Sequence, residues 1–293
     1  MAQLLAPGST RSEAVAGLPW RGPGPGRPDL PLPPEQMPLA WLGRPRKRWR
    51  YVGFYGDEVM LFMARFSVGP VRQCFWSLWD RMEGRVIDHT QIGPGRPEVS
   101  IDGDYARLES GSVRATLELG EGEPMECVSP SGRAWVWTRK RAGIPIRGRI
   151  EADGRQWQIE GRGVDDETAG FHTRHTAWLW SAGIGTDIEG RPVAWNLVSG
   201  VNDTPEDSER TVWVEGHPRE VAPVVFHDLD GVSFQTGPDL KFHFRDGAER
   251  LRDDDFGLLR SHYLHSFGTF TGAIDGIELA EGAGVMEECR AAW

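Results

Sequence analysis

The chain has 293 residues and a formal net charge of −10, from 33 basic against 43 acidic side chains. That sign argues against nucleic acid as a partner, because binding to a phosphate backbone relies on Lys and Arg neutralising phosphates. No run approaches the ~18 consecutive apolar residues of a membrane helix, so no membrane span is expected.

Residues 1–45 hold ten of the 21 prolines, in runs such as RGPGPGRPDLPLPPEQMP. Proline fixes φ and removes a donor, so this segment reads as an extended Pro-rich arm, pinned to the body through Trp20, Leu30 and Trp41 or else a loose tail. The basic run RPRKRWR at 44–50 follows, and in an acidic chain it reads as a solvated or internally paired strand edge. From Trp49 onward short apolar runs alternate with turn signals. WRYVGFY and EVMLFMARFSV flank Gly-Asp as one hairpin, and VRQCFWSLWD and RVIDHT form the next. In PIRGRIEADGRQWQIEGRG two alternating runs meet at Asp153-Gly154, a dipeptide suited to a type I′ turn. Further turns are expected at 187–191, 215–218, 228–231 and 274–276, and a short helix within LRDDDFGLLRSHYLHSF (251–267). Turn signals every 8–12 residues or so predict an all-β fold. A break near 120–145 suggests two β units, 46–142 and 143–293, although no internal sequence repeat is visible.

The densest chemistry lies in GFHTRHTAWLWSAGIG, residues 170–185. Read as one strand, it sends His172, Arg174, Thr176, Trp178 and Trp180 to one face and His175 to the other. The two histidines therefore cannot share a metal. His262 and His265 would share a face only on a helix. No metal site and no cofactor are expected. The first face carries two indoles and a few polar groups, the usual lining of a small-ligand pocket, and it would form one if it faced a barrel interior. The alternative is ordinary core packing for both tryptophans. Upstream, Asp165, Asp166 and Glu167 stand where one strand is expected to end and the next to begin. A carboxyl there, beside His172 and Arg174, could act as a general acid or base, or simply cap a turn. The chain contains no GxSxG, Walker loop or helix-opening GxGxxG, which leaves covalent and nucleotide-dependent chemistry without support. Cys74, Cys127 and Cys289 form no CxxC pair and cannot all pair within one chain, so a reduced, cytoplasmic setting is expected.

DDETAGFHTRHTAWLWSAGIG, then NLVSGVND, then TVWVEGHPREV resembles an uncharacterised bacterial family, domain of unknown function 2804. The closing FGTFTGAIDG…GVMEECRAAW resembles it too. IRGRIEADGRQWQIEGRGVDD also looks like the second half of a wider group of double lipocalin-like proteins, which includes carotenoid hydratase-type proteins and natural-product cyclases. The likeness spans roughly 45–293. It implies two tandem lipocalin-like antiparallel β-barrel or half-barrel units, and it carries no catalytic residues over to this chain.

Two functions of different class follow. One is a cofactor-independent isomerase, hydratase or cyclase acting on an unsaturated hydrophobic small molecule. Asp165 or Asp166 would then donate the proton, His172 would relay it, and Arg174 would hold an oxyanion. Thr176, Trp178 and Trp180 would bind the ligand. The other is a cytoplasmic carrier or sensor of an apolar or aromatic molecule. The Asp-Asp-Glu cluster tips the reading towards the enzyme. Homo-oligomerisation is left open.

Overall fold

The computed structural model describes residues 15–23, 26–255, 257 and 260–292, with main chain only at 244–248. All regular structure among them is β. The arm supplies β1 (Trp20–Gly22), β2 (Ala40–Trp41) and β3 (Arg44–Pro45). The N-terminal sheet continues with β4 (Lys47–Tyr55), β5 (Val59–Val68), β6 (Val71–Asp80) and β7 (Arg85–Ile92). It then adds β8 (Val99–Asp102), β9 (Tyr105–Ser110), β10 (Val113–Leu119), β11 (Met125–Ser131), β12 (Ala134–Ala152) and β13 (Arg155–Gly170). The C-terminal sheet opens with β14 (His175–Asp187), β15 (Pro192–Ser199), β16 (Thr211–Val214) and β17 (His217–Glu220). It closes with β18 (Val225–His227), β19 (Gly231–Ser233), β20 (Leu240–Asp255), β21 (Arg260–Ile274) and β22 (Ile277–Ala292).

The main path of the first sheet runs β7-β6-β5-β4-β13-β12-β10-β9-β8, and the second runs β17-β16-β15-β14-β22-β21-β20-β19-β18. These are one topology used twice. In each, four strands meander outwards, the chain crosses to the far edge, and the last strand returns to pair with the first. The duplication invisible in sequence is thus present in strand order, with β11 an addition off the main path that pairs with β1 and β12. Neither path closes on itself by hydrogen bonding among the described residues, so each sheet is a half-barrel curled around its own core. Val52, Leu61, Trp76 and Ile146 fill the first. Trp195, Leu197, Phe270 and Met286 fill the second. A third cluster, including Tyr51, Phe62, Trp180 and Phe267, joins the outer faces of the two sheets.

The sheets change over at residues 171–174, between β13 and β14. The expected division at 142/143 falls inside β12, where the register shifts between Ala142 and Ile144 and Gly143 takes φ +73°. The turn-like residues there therefore mark a β-bulge within one strand. The expected short helix at 251–267 is likewise corrected: this stretch holds the facing ends of β20 and β21, with Asp253 opposite His262 and Asp255 opposite Arg260. Asp153-Gly154, Glu215-Gly216 and Asp275-Gly276 all have positive φ at both positions, the type I′ geometry that matches the twist of a hairpin. In the arm, Trp20 pairs with Val128 and packs with Leu30 on a small core around Trp135. Trp41 meets Trp135 edge-on at 5.1 Å.

Candidate functional site

Asp165, Asp166 and Glu167 do not occupy a turn. They sit inside β13, and the antiparallel register sets each opposite a cation on β12: Arg141 opposite Asp165, Lys140 opposite Asp166 and Arg139 opposite Glu167. β4 flanks them on the other side with Arg50 and Arg48. Asp165 receives Arg50 at 2.8 Å and Arg141 at 2.9 Å, and Glu167 receives Arg48 at 2.5 Å. Cross-strand pairing of opposite charges accounts for the sequence matching of RKR and RWR to DDE. Alternation then divides the run. Asp165 and Glu167 face the mouth of the first half-barrel, whereas Asp166 faces the seam between the sheets.

That seam holds the candidate site, a cavity of about 130 Å³. The first sheet contributes Trp49, Tyr51, Phe66, Phe75, Lys140 and Asp166 to its wall. The second contributes Trp178, Trp180, Arg250, Tyr263 and Glu287. The aromatic face expected on β14 is present from Thr176 onward, but it looks outwards from its own half-barrel, at the neighbouring sheet. Trp178 stacks on Trp49 with ring centres 6.0 Å apart and 10° between planes. Its indole N–H donates to Glu287 Oε1 at 2.7 Å, while that of Trp180 donates to Asn196 Oδ1 at 2.8 Å. Both indole N–H groups are therefore already engaged within the chain, and the rings serve as cavity wall.

The remaining expected residues stand elsewhere. Strand geometry begins only at His175, so the alternation that would align His172 and Arg174 with the tryptophans does not hold. Arg174 is exposed, and Thr176 is buried, with its hydroxyl donating to the Thr173 carbonyl. His172 is buried behind Trp49, ring centres 5.1 Å apart, and does not line the cavity. Burial, reinforced by Lys47 and only partly offset by the Gly170 carbonyl, lowers its pKa to about 3. An unfolded histidine binds a proton near 6.5, so its contribution to stability is complete above that pH and is lost as pH falls towards 3. His172→Phe keeps the stacking and cannot titrate. Urea unfolding at pH 7 and pH 4 should therefore show the variant gaining about 3 kcal/mol on the wild type at the acid end. An equal difference at both pH values would contradict a neutral buried imidazole.

The carboxyls in the seam are unlike surface ones. Glu287 is 6% exposed. Its Oε1 accepts Trp178 and its Oε2 accepts the Tyr263 hydroxyl at 2.7 Å, yet burial outweighs both bonds and lifts its pKa to about 7. Asp166 is raised to about 6, chiefly by burial, against the pull of Lys140. The Lys140 ammonium lies 2.6 Å from Asp166 and 3.5 Å from Glu209, so two buried carboxyls share one cation. Asn202 donates to Glu209 at 2.8 Å. Arg250, 4% exposed, spreads over the Phe75 and Tyr263 rings at 5.2 and 5.5 Å. The site can thus hold a proton on Glu287 near neutrality and has a second ionisable carboxyl, a fixed guanidinium and aromatic walls. Sequence reasoning passed over Glu287, Tyr263, Arg250 and Lys140. One signal was available: in GVMEEC, Glu287 alternates with Val285 and Cys289, a carboxylate on an otherwise apolar strand face. Among the described residues no group of three or more His, Cys, Asp or Glu is placed to hold a metal, and no helix is long and apolar enough to cross a membrane.

No curated protein matches the chain by sequence. Among solved structures, kievitone hydratase from Nectria haematococca aligns with a TM-score of 0.55 and 12% identity, over 82% of this chain and 88% of that one. The AttH-like protein of Nitrosomonas europaea aligns at 0.49 and 13%, over 88% and 97%. CghA with Sch210972 aligns at 0.41 and 9%, over 90% and 95%. The likeness to the hydratase, with the duplicated topology, makes this a tandem lipocalin-like fold. A family model, the domain of unknown function DUF2804, matches residues 98–293, and the chain belongs to that family.

Proposed function

We propose that the chain is a cofactor-independent acid–base enzyme, an isomerase, hydratase or cyclase acting on an unsaturated hydrophobic small molecule. The observation that carries this reading is the pair of buried carboxyls, Glu287 and Asp166, whose pKa values are raised to about 7 and about 6 beside one aromatic cavity. Glu287 donates its proton to an alkene or carbonyl carbon framework. Asp166, held by Lys140, takes a proton from another carbon or from an attacking water. Return of the proton from Asp166 to Glu287 resets the site. Arg250 stabilises a developing oxyanion, and the faces of Trp49, Trp178 and Trp180 stabilise cationic character. A cavity of about 130 Å³ is close to the ~150 Å³ that accommodates a benzene molecule, so the reacting part of the substrate is about one ring in size. The name of kievitone hydratase, a protein of the same fold, supports the reaction class by analogy alone. Three free, buried cysteines suit a reducing, cytoplasmic setting.

Asp165 and His172 act in this scheme as supports, and exposed Arg174 has no part in it. Asp165 fixes Arg50 and Arg141, and His172 backs Trp49. The second reading, a carrier or sensor, is favoured by one observation: Glu287 and Asp166 already have partners within the chain, so the site needs no ligand to satisfy them. Turnover separates the two. Small-molecule extract incubated with the protein in deuterated, ¹⁸O-labelled water should yield a product carrying a new C–D bond or ¹⁸O, and Asp166→Asn should fail to form it. Retention of an unchanged compound, lost in Trp178→Ala, would identify a carrier.

A further inference from the structure

The opposite faces of β4, β5 and β6 form a second concavity, at the mouth of the first half-barrel, with a volume of about 450 Å³. Arg46, Arg48, Arg50, Arg65 and Arg72 line it, against two carboxylates, Asp102 and Glu167. Register explains the clustering. Arg50 lies directly opposite Arg65, and Ser67 lies between Arg48 and Arg72 in the adjacent row. Directly opposed side chains have Cβ atoms about 5 Å apart, and the next row on the same face is about 7 Å along the strand. Four guanidinium groups therefore share one small patch.

Their charge is only partly balanced. Glu167 takes Arg48 and Asp165 takes Arg50. Arg46 donates to the Met37 carbonyl at 2.7 Å, a neutral acceptor. Neither Arg65 nor Arg72 has an ion-pair partner among the described residues. Like charges set directly opposite on neighbouring strands are destabilising, and this excess stands in a chain of net charge −10. Stability alone gives no reason to retain it. Guanidinium groups form bidentate bonds with carboxylate and phosphate oxygens, and the Ser67 hydroxyl and the Gln73 and Gln91 amides add further donors around the same space.

We propose that the mouth of the first half-barrel is a binding site for a small-molecule oxyanion carrying two or more negative charges, a phosphoryl or polycarboxylate group gripped by Arg65 and Arg72. It is separate from the seam cavity, since the sheet lies between them and only Trp49, Phe66 and Gln73 border both. The site makes the chain responsive to an anion that need not be the substrate.

The test is calorimetric titration of the full chain with pyrophosphate and, separately, citrate, with ionic strength held constant by sodium chloride. Saturable binding of at least one is expected, and Arg65→Ala/Arg72→Ala should weaken it about tenfold or more. Preference for pyrophosphate would identify a phosphoryl ligand, and preference for citrate a polycarboxylate. Because those two arginines make no ion pairs among the described residues, the double variant should unfold at the same temperature as the wild type or higher. Absence of saturable binding of either anion to the wild type overturns the proposal without reference to any variant. Binding unchanged in a folded double variant overturns it as well.

Discussion

Glu287→Gln should lower turnover by about 10²–10⁴-fold, the usual worth of a positioned proton donor, while making the protein more stable than the wild type at pH 8. Glutamine has the shape of the neutral acid. Its amide oxygen can accept the Trp178 N–H, and its NH₂ can donate to the Tyr263 hydroxyl, which is free to exchange roles. What it loses is the ionisable proton. The folded-state pKa of about 7 lies above that of an unfolded glutamate. The contribution of Glu287 to stability is therefore complete below about pH 4.5 and disappears as pH rises through 7. A shift of that size corresponds to about 3 kcal/mol, which the wild type loses between acid and pH 8 and the variant does not. Urea unfolding at pH 5 and pH 8 measures this directly. A variant that turns over normally would remove Glu287 from the chemistry. A stability difference independent of pH would show that the carboxyl is not raised.

The local half of this site was legible in the sequence, and the non-local half was not. Period-two alternation holds wherever the backbone is extended, so it placed Trp178 and Trp180 on one face of β14 and the Asp153-Gly154 turn between two strands. It misplaced His172 and Arg174 because the chain between Gly170 and His175 leaves the strand path to change sheets. Alternation also says which residues share a face without saying what that face meets. Both faces of β14 are lined with apolar side chains: Trp195 reaches Ser181 on one and Tyr51 meets Trp180 on the other. Nothing in a single strand distinguishes a barrel interior from a seam between barrels. Glu287 reaches Trp178 across 109 positions of sequence, and Arg250 stands over Phe75 from another sheet. Such pairings depend on strand order, which the repeated topology sets and the sequence does not display.

Lys140→Met should destabilise the fold by about 3–5 kcal/mol at pH 7, the range for breaking a buried ion pair from one side. Lys140 is 4% exposed, and its ammonium is the shared counter-ion of Asp166 and Glu209, themselves 7% and 3% exposed. Without it Asp166 lies buried beside a second carboxylate with no cation between them. The folded-state pKa of Asp166, already raised to about 6, must then rise further. A raised carboxyl stabilises the fold in acid and ceases to do so as pH climbs through its folded pKa, so the loss should shrink towards pH 5 and widen towards pH 8. Neutralising the partners tests the cause. Lys140→Met/Asp166→Asn/Glu209→Gln should recover most of the stability, since an apolar or neutral replacement of a whole buried ionic group is often harmless. If the triple variant remains as unstable as the single one, the lysine stem matters through packing and not through its charge. The same substitution also bears on the chemistry. Asp166 needs Lys140 to remain ionised near neutrality, so Lys140→Met should shift the acidic limb of any pH–rate profile, which Asp166 sets as the base, to higher pH before it abolishes turnover.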